Sequence, residues 1–168
     1  MENYLLPDGK SVLAGLYNDK NSAEEAYFDL KTHGYLASEI NVLMSKETQI
    51  QYYSDNDLRK NHLNNYNESN PGGIADDFSS FGTNLKIPWP GLVVSGPFEN
   101  DFNIQDEQGS FIVIEAVLKA GIPKDEIVRY IEGIKAGKIL MTIHSHSDQK
   151  HKSLSEKWKH SILEKVFI

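Results

Sequence analysis

The sequence predicts an α+β fold, a ferredoxin-like sandwich in which a four-stranded sheet carries its helices mainly on one face. Three observations predict it. Short apolar or alternating stretches occur at 11–17, 39–45, 91–96 and 138–144, amphipathic helical stripes fall at 22–33 and 124–136, and glycine or proline punctuates the junctions. The 168 residues fit a single domain spanning 1–168, and a globular domain near this size buries roughly 70% of the surface its unfolded chain exposes.

The first strand, Ser11 to Tyr17, is short, apolar and closed by Asn18–Asp19. Ser22 and Glu25 have the spacing of a capping box, in which each side chain satisfies the other residue's orphan N–H, so a helix is expected from residue 22. Ala23, Ala26, Tyr27 and Leu30 then form one apolar face, and Gly34 supplies a left-handed stop. Glu39 to Ser45 alternates, placing Ile40, Val42 and Met44 on one side of a second strand. Strand, helix, strand at this spacing is a βαβ unit, whose strands run parallel with a right-handed crossover.

A long polar insertion, 46–90, interrupts the pattern. Residues 46–70 show no sustained period and are expected to form an excursion or an irregular helix near Leu58 to Leu63. Prolines and glycines bracket Leu92 to Ser95 as a third strand. Ser110 to Ala120 reads as a helix ending at Gly121. Pro123 suits the first turn of another, with Asp125 and Glu126 near its positive end. Ile127, Tyr130, Ile131 and Ile134 should be its buried stripe and Glu126, Arg129 and Lys135 its exposed side, with Gly137 as the stop. Lys138 to His144 is the fourth strand. A C-terminal helix within 150–168 is expected from a capping box at Ser153 and Glu156 and a stripe of Leu154, Trp158, Ile162 and Val166.

The stretches SVLAGLYNDKNSAEEAYFDLKTHGYLASEINVLM, IPWPGLVVSGP and GIPKDEIVRYIEGIKAGKILMTIH, which cover Ser11 to Met44 and Pro88 to His144, resemble the heat-induced, YflT-type general stress protein family. Gly121-Ile122-Pro123, Tyr130, Gly133, Gly137 and the strand after them are the most telling run. Residues 46–87 are polar where that family carries a Gly/Ala-rich segment. The resemblance implies a bacterial, cytosolic, stress-associated protein and brings no catalytic residues with it.

Composition narrows the chemistry. Without cysteine, disulfides, thiolate nucleophiles and Cys-ligated metal clusters are excluded. Lys+Arg 17 against Asp+Glu 24 leaves a formal charge of −7, which argues against broad nucleic-acid binding. The N-terminal residues lack a basic region ahead of an apolar run, and no apolar stretch approaches the roughly 18 residues of a membrane span, so a cytoplasmic protein with no membrane partner is expected.

No phosphate loop, H-E-x-x-H or G-x-S-x-G motif is present. Ser95 precedes Gly96, but Val93 stands where a nucleophile elbow needs glycine. Asp76 and Asp77 read as a solvated turn or helix start, and Glu99, Asp101, Asp106 and Glu107 as an acidic loop without the calcium-binding spacing. Tyr52, Tyr53, Tyr66, Phe78, Phe81 and Trp89 suit a cover over the sheet, or else a partner surface. The strongest constellation is His144, His146, Asp148 and His151. If the strand runs through 146, two imidazoles share a face and a third follows from a loop, a workable nitrogen set for zinc, nickel or copper. The competing reading is an exposed polar turn containing Ser145, Ser147, Lys150 and Lys152, with no metal. The sequence thus points to a non-enzymatic, cofactor-free interaction protein forming homo-oligomers, with metal or small-ligand binding as the alternative.

Overall fold

The structure, a computed structural model, describes residues 2–5, 11–53, 73–74, 84–85, 92–95, 114–115 and 117–144. Among the described residues six strands form one antiparallel sheet: β1 (Glu2–Leu5), β2 (Ser11–Tyr17), β3 (Ile40–Ser45), β4 (Asn84–Leu85), β5 (Leu92–Ser95) and β6 (Ile139–His144), in the order β1-β2-β6-β3-β5-β4. The four strands expected from sequence are all present. β1 and β4 extend the sheet on its two sides.

β2 and β3, joined through helix α1 (Lys20–Thr32), run parallel as expected but do not touch. β6 lies between them, antiparallel to both, with Leu13 opposite Ile143 on one side and Leu43 opposite Leu140 on the other. β3 in turn separates β6 from β5, so the two β-α-β connections interleave.

One expectation is corrected here: the helices do not share a face. Leu13, Ile40, Val42, Met44, Val93, Ile139, Met141 and Ile143 point to the side covered by Ala23, Tyr27 and Leu30 of α1. Ala14, Leu43, Leu92 and Leu140 point to the other, against Val117, Ala120, Ile122 and helix α3 (Ile127–Lys135), which contributes Ile127, Tyr130 and Ile134. The molecule therefore has two apolar cores with the sheet between them. The physical reason is visible in β3 and β6, whose residues are buried almost without a break. A strand covered on both faces needs apolar side chains at both parities.

The helix termini show the local chemistry. α1 begins a turn earlier than the Ser22–Glu25 capping box implies, because Asp19 takes the N-cap position and its carboxylate accepts the Ser22 N–H at 2.9 Å. At the other end Gly34, at φ 83°, closes α1: its N–H donates to Lys31 C=O and that of Tyr35 to Leu30 C=O. Gly121 and Gly137 repeat this double hydrogen bond after the helical residues 117–119 and after α3. In α3 the expected stripe holds at Ile127, Tyr130 and Ile134, while Ile131 is only half-buried and Gly133 is buried in its place. The backbone at Gly133 sits so close to β2 that a Cβ there would stand 2.7 Å from Leu16 Cδ1.

The insertion begins with a helix that the polar sequence conceals, α2 (Lys46–Tyr52), capped by Ser45, whose hydroxyl accepts the Thr48 N–H at 3.1 Å. On the α3 side of the sheet Asn41 and Thr142 are fully enclosed, with Asn41 donating from its side-chain amide to the Thr142 hydroxyl at 3.3 Å. The expected helices near 58–63 and within 150–168 lie outside the described residues. Among the described residues no helix is long and apolar enough to cross a membrane.

Candidate functional site

Among the described residues, chemistry-bearing side chains gather where the first turns of α1 meet the end of α2 and the dipeptide Gly73–Ile74. Lys20 and Glu24 are four residues apart on α1 and so share a face. Their polar ends meet at Tyr53 and reach apart from there. Lys20 Nζ donates to the Tyr52 carbonyl at 3.0 Å and stands 5.1 Å from the centre of the Tyr53 ring, a cation–π distance. Glu24 Oε2 accepts the Ile74 backbone N–H at 2.9 Å, across 50 positions of sequence.

The approach at Gly73 is tight, since a Cβ there would lie 2.7 Å from Glu24 Oε2. Glycine at 73 thus lets the backbone come up to the carboxylate. Ile74 and Tyr53 are both buried in the α1-side core, and Tyr52 packs against it. The members of the aromatic group that the structure describes, Tyr52 and Tyr53, therefore pack on the α1 side of the sheet.

Among the described residues, Tyr17, Tyr27, Tyr35, Tyr52 and Tyr53 belong to or pack on this core. Burial pushes the Tyr53 phenol well above its ordinary range, and the negative charge of Glu24 beside it adds to the effect. Burial also raises Tyr17, helped by Asp29, and Tyr35, helped by Glu39. All three stay protonated through neutral pH. A phenol kept in its protonated form is no general base or phenolate nucleophile at neutral pH.

Of the sequence's metal candidates, His144 closes β6 opposite Val12 and is half-buried. His146, Asp148 and His151 lie outside the described residues, so the structure does not bring the set together. Among the described residues no group of three or more His, Cys, Asp or Glu is placed to hold a metal ion. Ser95 ends β5 in register with Val42. Asp76, Asp77, Glu99, Asp101, Asp106, Glu107, Tyr66, Phe78, Phe81 and Trp89 also lie outside.

Sequence reasoning missed Lys20 and Glu24. A Lys and a Glu at i and i+4 read as a surface ion pair within one helix, which hides their contacts with Tyr52, Tyr53 and Ile74 far along the chain. The one usable signal was Gly73, a glycine before an isolated aliphatic residue, the form that a close backbone approach takes. In comparisons with known proteins, no family model, no curated protein and no solved structure matches the chain.

Proposed function

We propose that this chain is a non-enzymatic interaction protein that self-associates, and that it belongs with the stress-associated proteins its sequence resembles. The reading of its βαββαβ backbone as a ferredoxin-like variant, with interleaved β-α-β units, is part of the same proposal. The observation that carries self-association is the set of large apolar side chains left in solvent on the elements that follow and cover the α1-side core. Phe28 on α1 is 46% exposed, Leu36 just after it 64%, and Ile50 on α2 59%. Exposed apolar side chains of this size favour association when a second surface removes them from water.

Neither face of the sheet is free for a partner, because both are covered. The helical outer surface serves instead. Sedimentation velocity of the wild type and of Phe28→Asp plus Leu36→Asp tests the proposal. A dimer at tens of micromolar that becomes monomeric in the double variant is expected. A wild type that stays monomeric overturns it, as does a dimer that the double variant leaves intact.

A further inference from the structure

Along α1 the exposed residues are Asn21, Glu25, Phe28 and Thr32. Steps of four, three and four keep them on one face of the helix, turned away from Ala23, Tyr27 and Leu30, which meet the core. Phe28 is the apolar member of this stripe and stands near the middle of a helix about 20 Å long. Charge is divided along the same helix. Glu24 and Glu25 lie before Phe28, where the ammonium of Lys20 is engaged by the Tyr52 carbonyl. Lys31 follows Phe28, with its ammonium 5.8 Å from the centre of the Tyr27 ring, and His33 caps the end. Asp29, half-buried beside Phe28, lies close enough to Tyr17 to act on its phenol.

We propose that two copies of the chain associate by laying these stripes together antiparallel, with the two-fold axis at Phe28, so that Glu25 of each copy faces Lys31 of the other. The inference rests on the self-association proposed above and supplies its geometry. A contact between identical copies is self-complementary: where residue i meets j, residue j meets i. Glu25 and Lys31 stand three residues to either side of Phe28, so antiparallel stripes bring them to the same level at both ends of the contact. Parallel stripes would set Glu25 against Glu25 and Lys31 against Lys31, and like charges oppose association. Phe28 meets Phe28 on the axis, where two aromatic rings leave water together. Leu36, four residues past the end of α1, comes to the start of the other copy's helix. Charge thus chooses the direction, and the apolar side chains supply the attraction.

Sedimentation velocity of the full chain over a concentration series tests it, at low salt, where surface charges are least screened. Wild type should dimerise, and Glu25→Lys and Lys31→Glu should each weaken the dimer roughly tenfold, since two facing pairs turn from attraction to repulsion. An equimolar mixture of the two variants should recover wild-type affinity, because every facing pair in the mixed dimer is again opposite in charge. Glu25→Gln removes the attraction without adding repulsion, so it should weaken the dimer by a smaller factor, and it keeps the test decisive should Lys31→Glu fail to fold. A wild-type dimer that neither reversal weakens overturns the antiparallel contact and leaves self-association standing. So does a mixture no tighter than the single variants. Single variants as tight as wild type, with a mixture tighter than either, would assign parallel stripes and overturn it as well. A wild type that stays monomeric overturns both readings.

Discussion

Gly121 and Gly137 have almost the same backbone conformation, φ 89° and 85°, and each ends a helical segment with the same pair of hydrogen bonds. They differ in what surrounds them. A Cβ at Gly137 would meet only Thr48 Oγ1 at 3.7 Å, an ordinary contact, whereas one at Gly121 would lie 2.5 Å from Val12 Cγ2 and 3.0 Å from Cγ1. Val12 has little room to yield: it is fully buried, its β-branched side chain is stiff about χ1, and its backbone is paired with Tyr4 on one side and His144 on the other. Gly137→Ala should therefore cost only left-handed strain, about 1–2 kcal/mol. Gly121→Ala adds overpacking, about 1–3 kcal/mol more, for a total of roughly 2–5 kcal/mol. Urea denaturation with an unchanged slope measures both. The difference should shrink when Gly121→Ala is made in a Val12→Ala background, since the smaller side chain removes the clash; this double-mutant cycle isolates the contact. Equal costs for the two glycines, or no coupling to Val12, would refute the reasoning.

Ile134→Ala should cost about 2–5 kcal/mol because Ile134 is 1% exposed in the α3-side core, Ile131→Ala about half as much because it is half-buried, and Arg129→Ala within ~0.5 kcal/mol because its bond to Glu126 is a surface pair. Equal losses at 131 and 134 in denaturant would mean that the face is wrongly assigned. Asp19 is held below its ordinary range, chiefly by the Ser22 N–H, so its contribution is present above the usual aspartate value of about 3.9 and is lost as pH falls through the lower folded-state value. Thermal melts against pH should accordingly drop more steeply in acid for wild type than for Asp19→Asn, and parallel curves would count against the cap. Elemental analysis of untagged protein should find no stoichiometric zinc, nickel or copper. Metal that disappears in His144→Ala and His146→Ala would reverse that expectation.

The elements legible in the sequence were those whose signal is local. Ala23, Tyr27 and Leu30 mark α1, Ile40, Val42 and Met44 mark one side of β3, and Gly34, Gly121 and Gly137 mark chain reversals where a side chain would strain the backbone. The start of α1 was misplaced because Asn18, Asp19, Asn21 and Ser22 are all good capping residues, and only the folded geometry chooses among them. α2 was hidden because of its residues only Thr48 is buried, so no apolar stripe betrays it. The two-sided cover of the sheet was written in Leu43 and Leu140, apolar residues at the parity that a one-sided sheet would leave polar. The contacts of Lys20 and Glu24 join residues far apart in sequence, which periodicity does not record.

A sheet clad on both sides gives up the usual means of choosing its alignment. In a sheet with one wet face, sliding a strand by one position moves apolar side chains into water and is penalised along the whole strand. Here both sides of β3 and β6 are apolar, and such a slide exchanges one greasy environment for another. Asn41 and Thr142 break that degeneracy. Moved by one position, Asn41 faces Met141 or Ile143, neither of which replaces the Thr142 hydroxyl, and each enclosed polar group left without its counterpart costs about 1–3 kcal/mol. Two polar side chains among the apolar ones thus act as a vernier mark for the central strands: their contribution to the depth of the native well is small, and their contribution to its uniqueness is large.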